Sequence, residues 1–420
     1  MTPNVCSAAS RTHDHGVTWQ RACRAARVSC SLIIFKEDDI VLETSLGSVS
    51  FMSVSSYAPD QGEGGLTMAG SSLDLGRIQK QGGQDLAPST VKVRLYTGRI
   101  KRGPGGGKRV LLKAYPTGSR SEADAMAANE LAAHASLQPP TVAQEPQHVS
   151  LLLGGFSPTA GPTAGEQWLV FRNNGATTAG QWAQETAKYA SKSGFLSVFD
   201  RGKEERQQAF VKEILRQTMK GLAYLHSRSR LHQSLGPSSV VLNTTNNSGA
   251  RPLIARLQDL AFSVDVSDAA LYGGATLADI WEKGTVEAKD PLKQLAANLW
   301  RRADQEGART QMERRNFGIA DDVYAAGLLL AYMTFVPFCE LGSIDAPSLQ
   351  RLLESTFRLD VKAARDYCEA DERWLNAVAF LDNDGGAGWD LLGAMLRPEW
   401  RQRPTAESCL NHPFLKEDPS

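Results

Sequence analysis

From about residue 73 the apolar positions follow two periods in succession. Val91-Lys92-Val93-Arg94-Leu95-Tyr96 alternates apolar with polar, as a half-buried strand does. Arg109-Val110-Leu111-Leu112-Lys113-Ala114-Tyr115 reads as the next strand, and Gly103-Pro104-Gly105-Gly106-Gly107 as the turn between them. Together they predict an antiparallel hairpin. A helix follows, capped by Ser121 with Asp124 three residues on and a run of alanines behind. Two further strands are predicted near residues 149–153 and 168–171, separated by a Pro/Gly/Thr loop at 157–165. Beyond them the period lengthens. Val211, Leu215, Leu222 and Leu225 share one helical face. Residues 323–336 are apolar all round, which predicts a helix buried on every side and stopped by Pro337. Residues 391–396 open a last helical section. The expected class is α+β: a small antiparallel sheet lobe with one helix, then a larger helical lobe.

The preceding residues are patterned differently. Residues 40–57 hold Val41, Leu42, Leu46, Val49, Phe51, Met52 and Val54, consistent with a strand or two in an N-terminal extension. Residues 58–72 are Gly/Ser-rich and read as a linker. Residues 1–36 read as unstructured or cleaved. Arg11, Arg21, Arg24 and Arg27 lie there among Ser, Thr and Ala, and Asp14 is the only acid before Glu37. That is the composition of an organelle transit peptide. Arg27-Val28-Ser29-Cys30-Ser31 resembles the end of a plastid transit peptide of plants and algae. The other reading is a plain tail on a cytoplasmic protein.

Composition narrows the classes. The 420 residues suffice for one large or two ordinary domains, and 42% apolar with 22% charged residues suits a packed core. Lys+Arg and Asp+Glu are equal at 46 each, so no global field draws the chain to nucleic acid or anionic lipid. Cys6, Cys23, Cys30, Cys339, Cys368 and Cys409 form no C-x-x-C pair, which argues for reduced thiols over a zinc site or disulfide scaffold. The 323–336 run is too short to cross a bilayer, so no transmembrane segment is expected.

Several segments resemble the protein kinase superfamily, over roughly residues 73–416. Val110-Leu111-Leu112-Lys113 is similar to the strand motif Val-Ala-Ile-Lys. Gly221-Leu222-Ala223-Tyr224-Leu225-His226-Ser227 and the following His232-Gln233-Ser234-Leu235-Gly236-Pro237-Ser238-Ser239-Val240-Val241-Leu242 match the helix and catalytic loop in spacing. Asp259-Leu260-Ala261 stands where the family has Asp-Phe-Gly. Asp321-Asp322-Val323-Tyr324-Ala325-Ala326-Gly327 and the stretch from Leu396 through Arg403-Pro404 to His412-Pro413-Phe414-Leu415 resemble structural signatures of the second lobe. The whole resembles plastid-targeted kinase-like proteins of plants and algae.

The resemblance implies roles residue by residue. Lys113 would hold nucleotide phosphates and pair with a helix glutamate, for which Glu130 is the best candidate; Glu122 sits too near the helix start. Asp259 would hold Mg²⁺ on a bound ATP. His232 and Asp322 would shape the catalytic loop, and Arg403 would lack its usual glutamate because no Ala-Pro-Glu follows Asp259. The catalytic positions are degenerate: Ser234 replaces the aspartate base, Gly236 the lysine and Ser239 the metal-binding asparagine. No G-x-G-x-x-G covers the phosphates, since Gly76, Gly82 and Gly83 are wrongly spaced, and Gly98 marks a bulge or turn. ATP and Mg²⁺ binding are therefore expected to be weak. Residues 268–316 mix basic and acidic residues with Trp281 and Trp300, which would pack on the lobe or on a partner. Asp382-Asn383-Asp384-Gly385 begins like a calcium loop but lacks the closing glutamate, so a turn is expected; His13-Asp14-His15 has no third ligand in sight.

Three functions compete. The first is a pseudokinase acting as a regulatory or scaffold module with a protein partner. The second is an unconventional active Ser/Thr-type kinase using Lys113 and Asp259. The third is a dead kinase without nucleotide that docks through residues 268–316.

Overall fold

The computed structural model describes residues 32–52, 77–78, 90–116, 122–138, 147–175, 177–193, 201–249, 251–271, 291–339 and 342–416. Seven strands form the sheet of the first lobe: β1 (Ile33–Ile34), β2 (Ile40–Met52), β3 (Arg77–Ile78), β4 (Thr90–Ile100), β5 (Arg109–Tyr115), β6 (Leu152–Phe156) and β7 (Gln167–Arg172). Their order across the sheet is β1-β6-β7-β5-β4-β2-β3. The hairpin expected from the alternation is β4–β5, with Leu95 opposite Lys113 and Gly98 opposite Val110. Its turn needs glycine, because residues 103, 105 and 107 all take φ between +83° and +87°. Helix α1 (Glu122–Leu137) packs beneath this sheet.

The lobe begins earlier than the sequence pattern suggested. β2 pairs antiparallel with β4 from Ile40 opposite Ile100 to Met52 opposite Thr90. Residues 40–52 are thus an integral strand, not an extension. β1 lies within the stretch expected to be unstructured, yet it pairs parallel with β6, Ile33 opposite Gly154. Gly154 admits it, since a Cβ there would stand 1.9 Å from the Ile33 carbonyl oxygen. Phe35 behind it is buried. Composition misled here because the polar tail and the apolar run 32–35 share one Ser-rich neighbourhood. Residues 1–31 and the linker 58–72 lie outside the described residues. The register slips between Leu42 and Thr44, opposite Gly98, where a Cβ would stand 2.6 Å from the Val41 carbonyl oxygen. Gly98 therefore marks a bulge.

The second lobe is helical: α2 (Ala179–Ser193), α3 (Arg201–Ser227), α4 (Pro291–Gln305) and α5 (Gln311–Phe338), followed by a helical section at Leu375–Met395. Strand β8 (Thr177–Thr178) precedes α2, and between α3 and α4 lie short strands β9 (Arg230–Leu231), β10 (Val240–Leu242), β11 (Ala255–Leu257) and β12 (Val264–Asp265). β10 pairs with β11 and β9 with β12, which fixes the loop 232–239 against the segment around Asp259. Val211, Leu215, Leu222 and Leu225 all point into the core. Every residue of α5 from 320 to 338 is buried, and Pro337 lies inside its last turn rather than beyond its end. α5 is long and apolar enough to cross a membrane, but 94% of its apolar window is buried within the fold. It is the core helix of this lobe. The Leu375–Met395 section breaks at residues 383–386, where the backbone leaves helical geometry, so Asp382-Asn383-Asp384-Gly385 is a turn. Asp382 holds Arg365 at 2.9 Å.

Gly221 lies within α3, and a Cβ there would come 2.6 Å from the His148 carbonyl oxygen and 3.0 Å from Leu257 Cδ1. In an open helix Gly→Ala stabilises by about 1 kcal/mol. Here the clash with fixed backbone reverses the sign. Gly221→Ala is expected to destabilise the full chain by about 1–3 kcal/mol, read as a lower urea midpoint.

Candidate active-site cleft

Strand alternation places Lys113 and Tyr115 on one face of β5, toward α1. The Lys113 ammonium lies 2.6 Å from Glu130 Oε1 and 2.6 Å from Asp259 Oδ1. All three side chains are buried. The Tyr115 hydroxyl donates to the other Glu130 oxygen. The ammonium also stands 5.0 Å over the Phe171 ring. Burial alone would discharge Lys113, but the carboxylates of Asp259 and Glu130 outweigh it and raise its pKa above the ordinary lysine value. One turn on from Glu130, His134 is neutral: burial, helped by the Lys113 charge, lowers its pKa to about 3. Its ring meets Phe171 edge-on at 5.2 Å.

Asp259 sits in left-handed backbone, φ 66° and ψ 54°, ahead of the single turn Leu260–Phe262, and its side chain does not cap that turn. Instead, Asn129 on α1 holds the turn, donating to the carbonyls of Ala261 at 2.8 Å and Ser263 at 2.9 Å. α1 therefore grips the Asp259 segment twice, by Asn129 directly and by Glu130 through Lys113.

The loop 232–239 hangs from one carboxylate. Asp322 on α5 accepts from the backbone amides of His232 at 2.7 Å and Gln233 at 2.9 Å, from the Gln233 side chain at 3.1 Å, and contacts His226 Nε2 at 3.0 Å. Burial would raise its pKa, but the bonds from His226 and the loop outweigh that and lower it. His232 is buried, and burial lowers its pKa against the pull of Asp322. Its Nδ1 accepts from the Ser234 amide at 3.3 Å, so Nε2 carries the proton toward the Gln258 carbonyl at 3.2 Å. Ser234 Oγ donates to the Asp259 carbonyl at 3.0 Å. Ser239 Oγ donates to the Gly236 carbonyl at 2.8 Å and accepts from its amide at 2.9 Å. Both hydroxyls are thus engaged with the loop's own frame.

The stretch 268–316 contributes α4. Its Arg302 makes a buried two-pronged bond to Asp321, at 3.1 and 3.2 Å, and reaches Gln233 Oε1 at 3.4 Å. Trp300 packs against the core cluster beneath α1, while Trp281 lies outside the described residues. Arg403 is buried. It donates to the carbonyls of Arg397 at 2.7 Å, Ala320 at 3.2 Å and Pro398 at 3.3 Å, and stacks 4.7 Å over the Tyr324 ring.

The cleft between the lobes, lined among others by Leu111, Lys113, Phe171, Asn174, Val241 and Gln258, is nearly closed: its cavity measures about 10 Å³, room for about one water and far below a small-molecule site. Leu111 occupies the place of the motif's alanine and narrows it. The first two long strands, β2 and β4, are joined through residues 53–89, of which the structure describes 77–78. Gly76, Gly82 and Gly83 lie outside the described residues. Among the described residues no three His, Cys, Asp or Glu side chains gather as a metal site. A metal at Asp259 would need the oxygens of a bound nucleotide. Sequence reasoning paired Lys113 with Glu130 and gave Asp259 to a metal; it left out the Lys113–Asp259 contact, Tyr115, Asn129 and the role of Arg302. The two-residue step from Lys113 was the available signal for Tyr115.

No protein-family model matches the chain. It is 25% identical over 268 residues to the serine/threonine-protein kinase STN7, chloroplastic, of Arabidopsis thaliana, a match covering 62% of this chain and 46% of that protein. The chain thus spans about half the length of this curated relative. A solved Stt7 homolog from Micromonas algae, soaked with ATP, aligns with a TM-score of 0.50 at 17% identity, over 81% of this chain and 99% of that one. The twitchin kinase region from C. elegans aligns at 0.44 and 14% identity, over 78% and 44%. The fold is the mixed α+β, bilobed kinase-like architecture.

Removing the Lys113 charge leaves two buried carboxylates facing each other. Lys113→Met is expected to lower stability by about 3–5 kcal/mol at pH 7, measured by denaturant unfolding. Because the folded pKa is raised, the lysine's contribution is whole below its unfolded value of 10.5 and is lost as pH climbs past the folded one. The gap between wild type and variant should hold from pH 7 to 10 and narrow only above 10.5.

Proposed function

We propose that this chain is a kinase-fold regulatory or scaffold module, a pseudokinase with phosphotransfer lost or very weak, that retains a nucleotide contact through Lys113, Glu130 and Asp259. The observation that carries this reading is the state of the loop. At the base position, Ser234 is a neutral hydroxyl that donates inward to the Asp259 carbonyl. At the metal position, Ser239 is bound to Gly236. Gly236 has no charge to offer a transferring phosphoryl group. A hydroxyl accepts no proton at neutral pH, and loss of the general base alone costs about 10²–10⁴-fold. From a kinase turnover of about 1–100 per second, that loss alone leaves between about 10⁻⁴ and 1 per second, and the missing lysine and asparagine lower it further.

The residues fit MgATP in part. Lys113, held by Glu130, supplies the phosphate contact, and Asp259, whose Oδ1 already meets Lys113, supplies one metal ligand. Binding is weak on this reading because Leu111 narrows the cleft. The module works through a protein partner, in a plastid. The Arg- and Ser-rich N-terminal segment and the chloroplastic relative support that location.

A second reading is an unconventional active Ser/Thr-type kinase. The assembled Lys113–Glu130 pair favours it, since catalysis in this fold requires that pair. Phosphotransfer by the full chain with Mg²⁺- or Mn²⁺-ATP separates the two. Turnover well below about 1 per second is expected; turnover above that which disappears in Lys113→Ala overturns the pseudokinase. A thermal-shift series with ATP and metal should give a small rise. No shift at millimolar ligand removes the nucleotide contact and leaves the docking role alone. Residues 1–40 fused to a fluorescent reporter should enter plastids of a plant or algal cell, and diffuse cytosolic signal rejects that location.

A further inference from the structure

Helix α4 follows Asp259 in the chain, in the stretch where this fold usually presents a substrate platform, yet it packs on α1 of the first lobe and on α5 of the second. Its buried Leu299 and Ala303 share one cluster with Met126 and Ala127 of α1 and with Phe317 and Ala320 of α5. α1 has correspondingly little surface left. From residue 123 to 135 none of its side chains is exposed. The sheet, the Asp259 turn and α4 enclose it.

The polar side of α4 is anchored as firmly. Arg302 binds both oxygens of Asp321, and both side chains are buried. The neighbouring residue, Asp322, holds the loop backbone. Gln233 joins the two, giving its amide nitrogen to Asp322 and taking Arg302 on its amide oxygen. A buried Arg–carboxylate pair is costly to desolvate, so it argues for a particular arrangement more than for stability. In this fold the stretch after the metal aspartate is commonly ordered by an added phosphate meeting an arginine. Here Gln233 is neutral, the stretch carries its own arginine, and α5 supplies the acid.

We propose that α4 is an intrachain clasp, anchored by Arg302, that holds α1 and the 232–239 loop in one arrangement and so presets Glu130 against Lys113 without phosphorylation or a partner bound to α1. The clasp rests on the kinase-like reading only for its meaning. Its mechanics are a property of the chain whether or not phosphate is ever transferred.

Hydrogen–deuterium exchange of the full chain tests it. In the wild type, α1 opens only when α4 does. After correction for intrinsic rates, amides of residues 126–137 should therefore exchange no faster than those of 296–305; faster exchange in α1 overturns the clasp. Arg302→Ala should accelerate exchange tenfold or more in residues 122–138 and 232–239 and leave 328–336 unchanged. Unchanged α1 exchange in a variant whose α4 amides have become fast also overturns it. Leu299→Ala, which keeps the ion pair, should give the same pattern with smaller amplitude, and it serves in place of Arg302→Ala if that chain does not fold. The phosphotransfer assay leaves all these readings untouched, so failure of the functional proposal and failure of the clasp are separable.

Discussion

A buried ammonium has to be neutralised, and Lys113 meets that constraint by recruiting two carboxylates from distant parts of the chain. Glu130 arrives on α1 and Asp259 on the turn after β11, each at 2.6 Å. In a medium of low dielectric an unpaired charge would cost more than most single interactions contribute. The sheet, the helix and the second lobe are thereby required to meet at one point. Tyr115 and Asn129 complete the arrangement, the first by satisfying the remaining Glu130 oxygen and the second by fixing the backbone that carries Asp259.

A second constraint works from below. Adjacent acids at the start of the core stretch of α5 face different tasks: Asp322 holds the loop and Asp321 holds Arg302. Burial raises the pKa of Asp321, with Arg302 pulling the other way, while the hydrogen bonds on Asp322 lower its pKa against burial. The backbone of the loop 232–239 hangs on its own amides and one helix carboxylate, whereas the hydroxyls of Ser234 and Ser239 turn to the carbonyls of Asp259 and Gly236.

Much of this was legible from patterns with a local cause. The β4–β5 hairpin followed from alternation and a glycine-rich turn. α5 followed from an apolar run, and the Lys113–Glu130 pair from a surviving strand motif, whereas Asp259 was expected at a metal and its contact with Lys113 was not foreseen. What could not be read depends on partners remote in sequence. β1 has two residues and earns its place from Gly154, more than a hundred positions away. β2 looked like an extension because its pairing with β4 spans an intervening stretch with no strand pattern. Arg302 was one cation among several in a mixed-charge segment, and only the folded helix shows that it faces Asp321.

The N-terminal strands carry a further consequence. Since β2 lies along the full length of β4, a chain begun near residue 73 would leave β4 as a long unpaired edge, with its amides and carbonyls open to any neighbouring strand. Such a fragment would tend toward edge-to-edge self-association, and its failure would say nothing about the cleft. The same geometry governs the opposite edge, where a chain trimmed past Ile33 loses the strand beside β6.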